Sequence, residues 1–151
     1  MDLDNLYTTI ELDKKLNATY GRLKPLAVSD GIYKPLDISF STGTPQNKEG
    51  AYCYSDENGY HYCYTERGEV SMHKITKDFF ELSYWIFNDQ VFNMALSYEL
   101  KHRIKGKDPR RLIFDKELQL FEAIGENYKK KAENDINIIL NGAPYQDQLF
   151  L

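Results

Sequence analysis

The sequence predicts an α+β fold: a small antiparallel β-meander over about residues 51–75, one or two extra short strands from residues 31–42, one N-terminal helix and a helical C-terminal half packed against the meander. Three observations carry this reading. Asn58-Gly59 stands between two tyrosine-rich runs, Ala51-Tyr52-Cys53-Tyr54 and Tyr60-His61-Tyr62-Cys63-Tyr64. That is the pattern of a type I′ hairpin, whose central residues need positive φ. Arg67-Gly68 offers a second tight turn, into Glu69-Val70-Ser71-Met72-His73. Beyond residue 76 the apolar residues stop alternating and recur every three or four positions, the spacing of helices.

Along the chain, Leu3, Leu6, Tyr7, Ile10 and Tyr20 fall on loose helical spacing, with Asp2 or Asp4 as the N-cap and Gly21 as the stop. Residues 22–50 carry Pro25, Pro35 and Pro45 with several Gly and Ser, which predicts loops. Leu36, Ile38 and Phe40 alternate with polar residues there and predict a short strand. In the meander, two-residue turns would set Cys63 opposite Tyr54 and Met72, and Tyr62 opposite Ser55 and His73. Tyr52, Tyr54, His61, Cys63, Val70 and Met72 then share one face, and Cys53, Tyr60, Tyr62, Tyr64 and His73 the other.

Thr76 or Asp78 caps the next helix, with Asp78 and Glu81 at capping-box spacing. Its apolar residues run from Phe80 through Tyr84, Phe87, Val91 and Met94 to Tyr98, widened by Phe79, Leu82, Ile86 and Ala95, which places this helix centrally. Asp108-Pro109 starts another helix, with Ile113, Phe114, Leu118, Leu120, Phe121 and Ile124 buried and Gly125 ending it. Tyr128, Ala132, Ile136 and Ile139 line a last helix, and Gly142-Ala143-Pro144-Tyr145 turns into an extended tail.

At 151 residues, with 42% apolar and 28% charged residues, the expectation is one soluble domain spanning 1–151. The start, Met1 to Asn5, has neither a cationic nor an apolar segment of a signal peptide, and the apolar run Tyr84-Trp85-Ile86-Phe87 is cut by Asn88-Asp89-Gln90. A cytoplasmic protein without a membrane span is therefore expected. Two cysteines are too few for a disulfide framework.

Cys53, His61, Cys63 and His73 have the right chemistry for zinc, but the register above divides them between two faces, so neither a metal nor a disulfide between the thiols is expected. His61 and Cys63 share a face, yet no activating arrangement or oxyanion donors are legible, and no catalytic residue is assigned. No cofactor motif occurs. The segment Lys101 to Arg111 holds six Lys or Arg against one Asp, leaving about -9 on the rest of the chain. Such a run suits phosphate contacts. The simpler reading is ion pairing: Glu99 and Arg103 are one helical turn apart, and Arg110 and Arg111 occupy a helix first turn where cations are disfavoured unless a carboxylate meets them. Glu66 or Glu69 is a candidate acceptor.

Taken together and in order, Tyr60-His61-Tyr62, the Glu66-Arg67-Gly68-Glu69 turn, Tyr84-Trp85-Ile86-Phe87, Tyr98 to Arg103, Asp108 with Arg110-Arg111, Phe114, and Pro144-Tyr145 with Asp147 form a pattern. It resembles that of the bacterial polymorphic-toxin immunity proteins grouped as immunity protein 63. The chain departs from it at Glu117, where a glutamine is expected. The resemblance implies a non-enzymatic cytosolic protein that binds a cognate toxin domain as a stoichiometric inhibitor. Tyr52, Tyr54, Tyr60, Tyr62 and Tyr64 are then the partner-binding candidates, as exposed aromatic anchors of the meander. Glu66, Arg67, Gly68, Glu99, Arg103, Asp108, Arg110 and Arg111 are assigned to holding the fold. The rival reading is a nucleic-acid-binding or regulatory module using Lys101 to Arg111, and a third is a small hydrolase using Cys63 and His61.

Overall fold

The computed structural model describes residues 6–44 and 48–151. Asp2, Asp4, Leu3 and Pro45, named above, lie outside the described residues. The architecture is α+β, with the elements α1 (Thr9–Tyr20), α2 (Lys24–Ser29), β1 (Ile38–Ser39), β2 (Gly50–Asp56), β3 (Gly59–Glu66), β4 (Glu69–Thr76), α3 (Phe79–Lys101), α4 (Arg110–Ile124) and α5 (Glu126–Gly142). Two compact units divide the chain: residues up to Thr19 with Pro35–Phe87, and Tyr20–Lys34 with Asn88–Leu151.

The first unit contains most of α1, the sheet and the start of α3. A capping box begins α1: Thr8 Oγ1 accepts the Glu11 N–H at 3.1 Å, and the Glu11 carboxylate accepts the Thr8 N–H at 2.9 Å. Leu12, Leu16 and Tyr20 are the buried residues of this helix, whereas Ile10 points to solvent. The strand order is β1-β2-β3-β4, with β1 parallel to β2 and the other pairs antiparallel. Of the expected 31–42 strands, only the two residues of β1 pair.

Both hairpins form, but each corrects the predicted register. At the first, Glu57 and Asn58 are the loop and Asp56 pairs with Gly59. The Asp56 carboxylate takes the Asn58 N–H at 2.9 Å, and of these residues only Gly59 has positive φ, at 133°. This is an Asx-type turn rather than a type I′ turn on Asn58-Gly59. Cys63 therefore faces Tyr52, not Tyr54. The shift is two residues, so the division of β2 and β3 between faces survives. At the second hairpin Arg67 and Gly68 adopt φ of 54° and 79°, and Glu66 pairs with Glu69 as expected. A bulge then intervenes: Thr65 pairs with Val70 but Tyr64 with Met72, leaving Ser71 as the extra residue. From there every β4 side chain is inverted. Met72 joins the face of Tyr60, Tyr62 and Tyr64, and His73 joins that of His61 and Cys63, opposite to expectation.

The second unit holds α2, most of α3, α4 and α5. Gly21 does not stop the N-terminal helix; a 3-10 turn, Gly21–Leu23, leads directly into α2, where Pro25 sits in the first turn and loses no needed N–H. The stop is Gly31, at φ 70°: its N–H reaches the Val28 carbonyl and that of Ile32 the Ala27 carbonyl, a Schellman closure. Asp78 caps α3 through the N–H groups of Phe80 and Glu81. In this unit α3 buries Val91, Met94 and Ala95, α4 buries Ile113, Phe114, Leu120, Phe121 and Ile124, and α5 buries Tyr128, Ala132 and Ile136. Ile139, expected on the buried stripe, is exposed. The C-terminal tail is not extended but closes as a 3-10 turn, Asp147–Phe150, with the Gly106 N–H on the Phe150 carbonyl.

Candidate functional site

On the sheet, the bulge assembles a row of polar aromatic groups. The Asp56 carboxylate lies 2.8 Å from His61 Nε2, and His61 Nδ1 lies 2.7 Å from His73 Nε2. The His61 bond, as the main cause, holds the Asp56 carboxyl below the ordinary carboxylate range. An ionised Asp56 takes the Nε2–H of His61. With both rings neutral, His61 Nδ1 must then accept from the Nε2–H of His73. Tyr54 stacks on His61, with ring centroids 4.3 Å apart and planes 6° from parallel, and Tyr52 stacks on Tyr54 at 6.2 Å. Sequence reasoning missed the His61–His73 pair because nothing local announces the bulge at Ser71.

The bulge also removes the ground on which His73 was separated from His61, yet Cys53 stays on the other face. Among the described residues no cluster of three or more His, Cys, Asp or Glu converges on a metal position. Cys53 and Cys63 are both buried free thiols. Burial pushes the Cys53 thiol up to about 12 and raises that of Cys63, the reverse of an activated nucleophile.

The five tyrosines named as anchors are not equally presented. Tyr52, Tyr60 and Tyr62 are buried, which corrects the expectation that they are exposed. The reason for Tyr60 is visible within its unit: its hydroxyl accepts the Tyr7 N–H at 2.8 Å, and the Tyr7 ring meets Phe79 edge-on at 5.3 Å. Tyr54 is half-buried and Tyr64 exposed. At the hairpin tip Glu66, Arg67 and Gly68 are exposed, and the Arg67 N–H binds the Glu49 carboxylate at 3.0 Å.

The motif residues of the second unit form a dense ion-pair system. Glu99, only 1% exposed, receives Arg103 in a two-pronged contact at 3.0 and 2.9 Å. Asp108, 3% exposed, accepts the Arg110 guanidinium at 2.8 Å together with the backbone N–H groups of Arg110 and Gln146. These donors, Arg110 above all, hold the Asp108 carboxyl at about 2. Arg110 continues to the carbonyls of Ala143 and Pro144, and Arg111 binds Asp147 at 2.9 Å beneath the Tyr145 ring. The disfavoured cations at the start of α4 thus meet Asp108 and Asp147, rather than Glu66 or Glu69. Lys107 approaches Asp147 at 3.9 Å, and Lys101 donates to the Gly31 carbonyl at 2.7 Å. Most of the basic run is therefore engaged within the protein.

Beside this system lies a cleft of about 540 Å³, walled by Leu112, Leu118, Ile136, Leu140 and Tyr145. Glu117 is buried on α4, and burial raises its carboxyl to about 7. That is the position at which a glutamine was expected.

Residues 56–138, more than half of the chain, match the family model described as Immunity protein 63. Pro144, Tyr145 and Asp147 lie beyond the matched span. No curated protein and no solved structure matches the chain.

Proposed function

Because this chain belongs to the immunity protein 63 family, we propose that it binds a cognate bacterial toxin domain and neutralises it as a stoichiometric, non-catalytic inhibitor in the cytoplasm of the producing cell. The observation that carries the proposal is the family match across β3, β4, α3, α4 and most of α5. Immunity by direct binding asks for a preorganised surface with charge complementary to the partner, which sets the association rate and selects the partner. The sheet unit has two paired hairpins, and of the five meander tyrosines Tyr54 and Tyr64 are those left for contact. The signature residues Glu99, Arg103, Asp108, Arg110 and Arg111 act in this account by fastening the second unit. Their engagement with one another also weighs against the nucleic-acid reading, since a cation already bonded to a buried carboxylate has little left for phosphate.

The test is co-expression with the toxin domain encoded in the adjacent reading frame. Cells carrying both are expected to grow, and the two proteins to co-purify. Unrelieved toxicity together with the absence of a complex contradicts the proposal.

A further inference from the structure

The six cations between Lys101 and Arg111 are ion-paired with only three carboxylates: Glu99 takes Arg103, Asp108 takes Arg110, and Asp147 takes Arg111. Of the other three, Lys101 rests on the neutral Gly31 carbonyl, and Lys107 stands 3.9 Å from Asp147, which Arg111 already holds at both oxygens. Lys105 is exposed and has no partner among the described residues. The backbone of the same loop has donors to spare: the N–H groups of Arg103, Ile104 and Lys105 meet no acceptor among the described residues. This loop borders a cleft of about 350 Å³, lined by the cations Arg103, Lys105 and Lys107 and by the apolar Ile104, Pro109 and Phe150. Glu99 also lines it, but is buried and bonded to Arg103. Ile104 is 51% and Phe150 41% exposed, so apolar surface stands open beside the lysines. The walls are tied together: Gly106, at φ 83°, donates to the Phe150 carbonyl at 3.0 Å, and the Lys107 N–H reaches the Ile104 carbonyl at 3.3 Å.

We propose that this cleft receives one apolar side chain of the toxin domain, carried on a segment whose neighbouring Asp or Glu meets Lys105 and Lys107. The inference rests on the immunity reading above and names a surface and the chemistry by which it acts. Three features together choose the occupant. The exposed Ile104 and Phe150 call for a hydrocarbon or aromatic group to cover them, which a phosphate backbone does not supply. The uncompensated lysines call for negative charge and the open N–H groups for oxygen acceptors, and a carboxylate is both. The volume is at the low end of the range for whole small ligands, about 300–1,000 Å³, and suits a single anchoring side chain. Because the loop is already held by its bonds to Phe150 and Ile104, little ordering is required when the segment docks. The Glu99–Arg103 and Asp108–Arg110 pairs, on either side of the loop, thereby serve binding by keeping the cleft in shape.

The experiment measures the affinity of the full chain and of Lys105→Glu for an inactivated form of the adjacent toxin domain, with hydrogen exchange on the wild type alone and in the complex. Lys105 is exposed and unbonded, so the variant keeps the fold, and the exchange measurement needs no variant. Lys105→Glu is expected to weaken binding at least ~10-fold. Lys130→Glu, the same change of net charge at an exposed position of α5 that does not line the cleft, is expected to leave it within ~2-fold. In the complex, exchange of the Arg103, Ile104 and Lys105 amides is expected to slow at least ~10-fold. A complex in which either expectation fails overturns the cleft assignment while leaving the immunity reading standing. Absence of any complex overturns both. Protection that appears in the chain alone as its concentration rises overturns the assignment in favour of a second copy. Binding of a labelled single-stranded oligonucleotide at about 0.15 M salt, lost in Lys105→Glu, overturns it in favour of nucleic acid.

Discussion

Replacing Asp108 with alanine removes the acceptor that ties the start of α4 to the C-terminal segment. Its carboxylate meets the Arg110 guanidinium and two backbone N–H groups while almost fully buried. Breaking a buried pair by removing one partner costs about 3–5 kcal/mol. Arg110 is 28% exposed and keeps the carbonyls of Ala143 and Pro144, which lowers the expected loss to about 3 kcal/mol. For a chain of this length that is a fall in melting temperature of roughly 6–12 °C. Thermal unfolding by circular dichroism at pH 7 measures it. The effect also has a pH signature. The folded carboxyl titrates at about 2, below the ordinary range near 4, so its stabilisation is present above about pH 4 and drains away as pH falls toward 2. The gap between wild type and Asp108→Ala is expected to narrow over that window. A shift under ~2 °C at pH 7, or a gap that stays constant down to pH 2, refutes the assignment of Asp108 as the anchor.

Two further substitutions test the account elsewhere. Glu117→Gln removes a carboxyl raised to about 7 by burial: the folded form binds its proton more tightly than the unfolded one, so the wild type loses stability as pH rises from about 4.5 to 7. The variant is expected to gain roughly 2–3 kcal/mol over wild type at pH 8 and little at pH 4, read from urea midpoints at both values, and equal midpoints at pH 8 contradict it. Gly59→Ala places a Cβ 2.8 Å from the Thr76 carbonyl oxygen at a φ of 133°, and is expected to cost about 3 kcal/mol in the same assay, whereas Gly43→Ala, in open space and without positive φ, leaves the midpoint nearly unchanged.

Much of this molecule could be read from local signals, and the failures have identifiable causes. Gly68 takes the positive φ its residue type favours and Arg67 joins it at 54°, and because the first hairpin slipped by an even number, the faces of β2 and β3 came out as expected. The bulge at Ser71 is a tertiary event without a local signature, and it alone moved His73 beside His61. The helix stop went to Gly21 instead of Gly31 because glycine marks where positive φ is affordable, not where the chain uses it. The carboxylate partners of Arg110 and Arg111 were expected from their disfavoured place in the first turn of a helix, but Asp147 is 36 residues away from Arg111, and periodicity carries no information at that range. The resemblance made the meander tyrosines contact candidates on the expectation that they are exposed, yet a tyrosine ring is equally suited to burial with a satisfied hydroxyl, the state of Tyr60.

The central claim is tested most directly by titrating the full chain into the purified toxin domain of the adjacent reading frame while following both binding heat and toxin activity. The account predicts one molecule bound per toxin domain, a Kd of about 1 nM or lower, and activity falling to nothing at the equivalence point. Toxin activity unchanged, with no binding heat at about 10 µM of each protein, contradicts it.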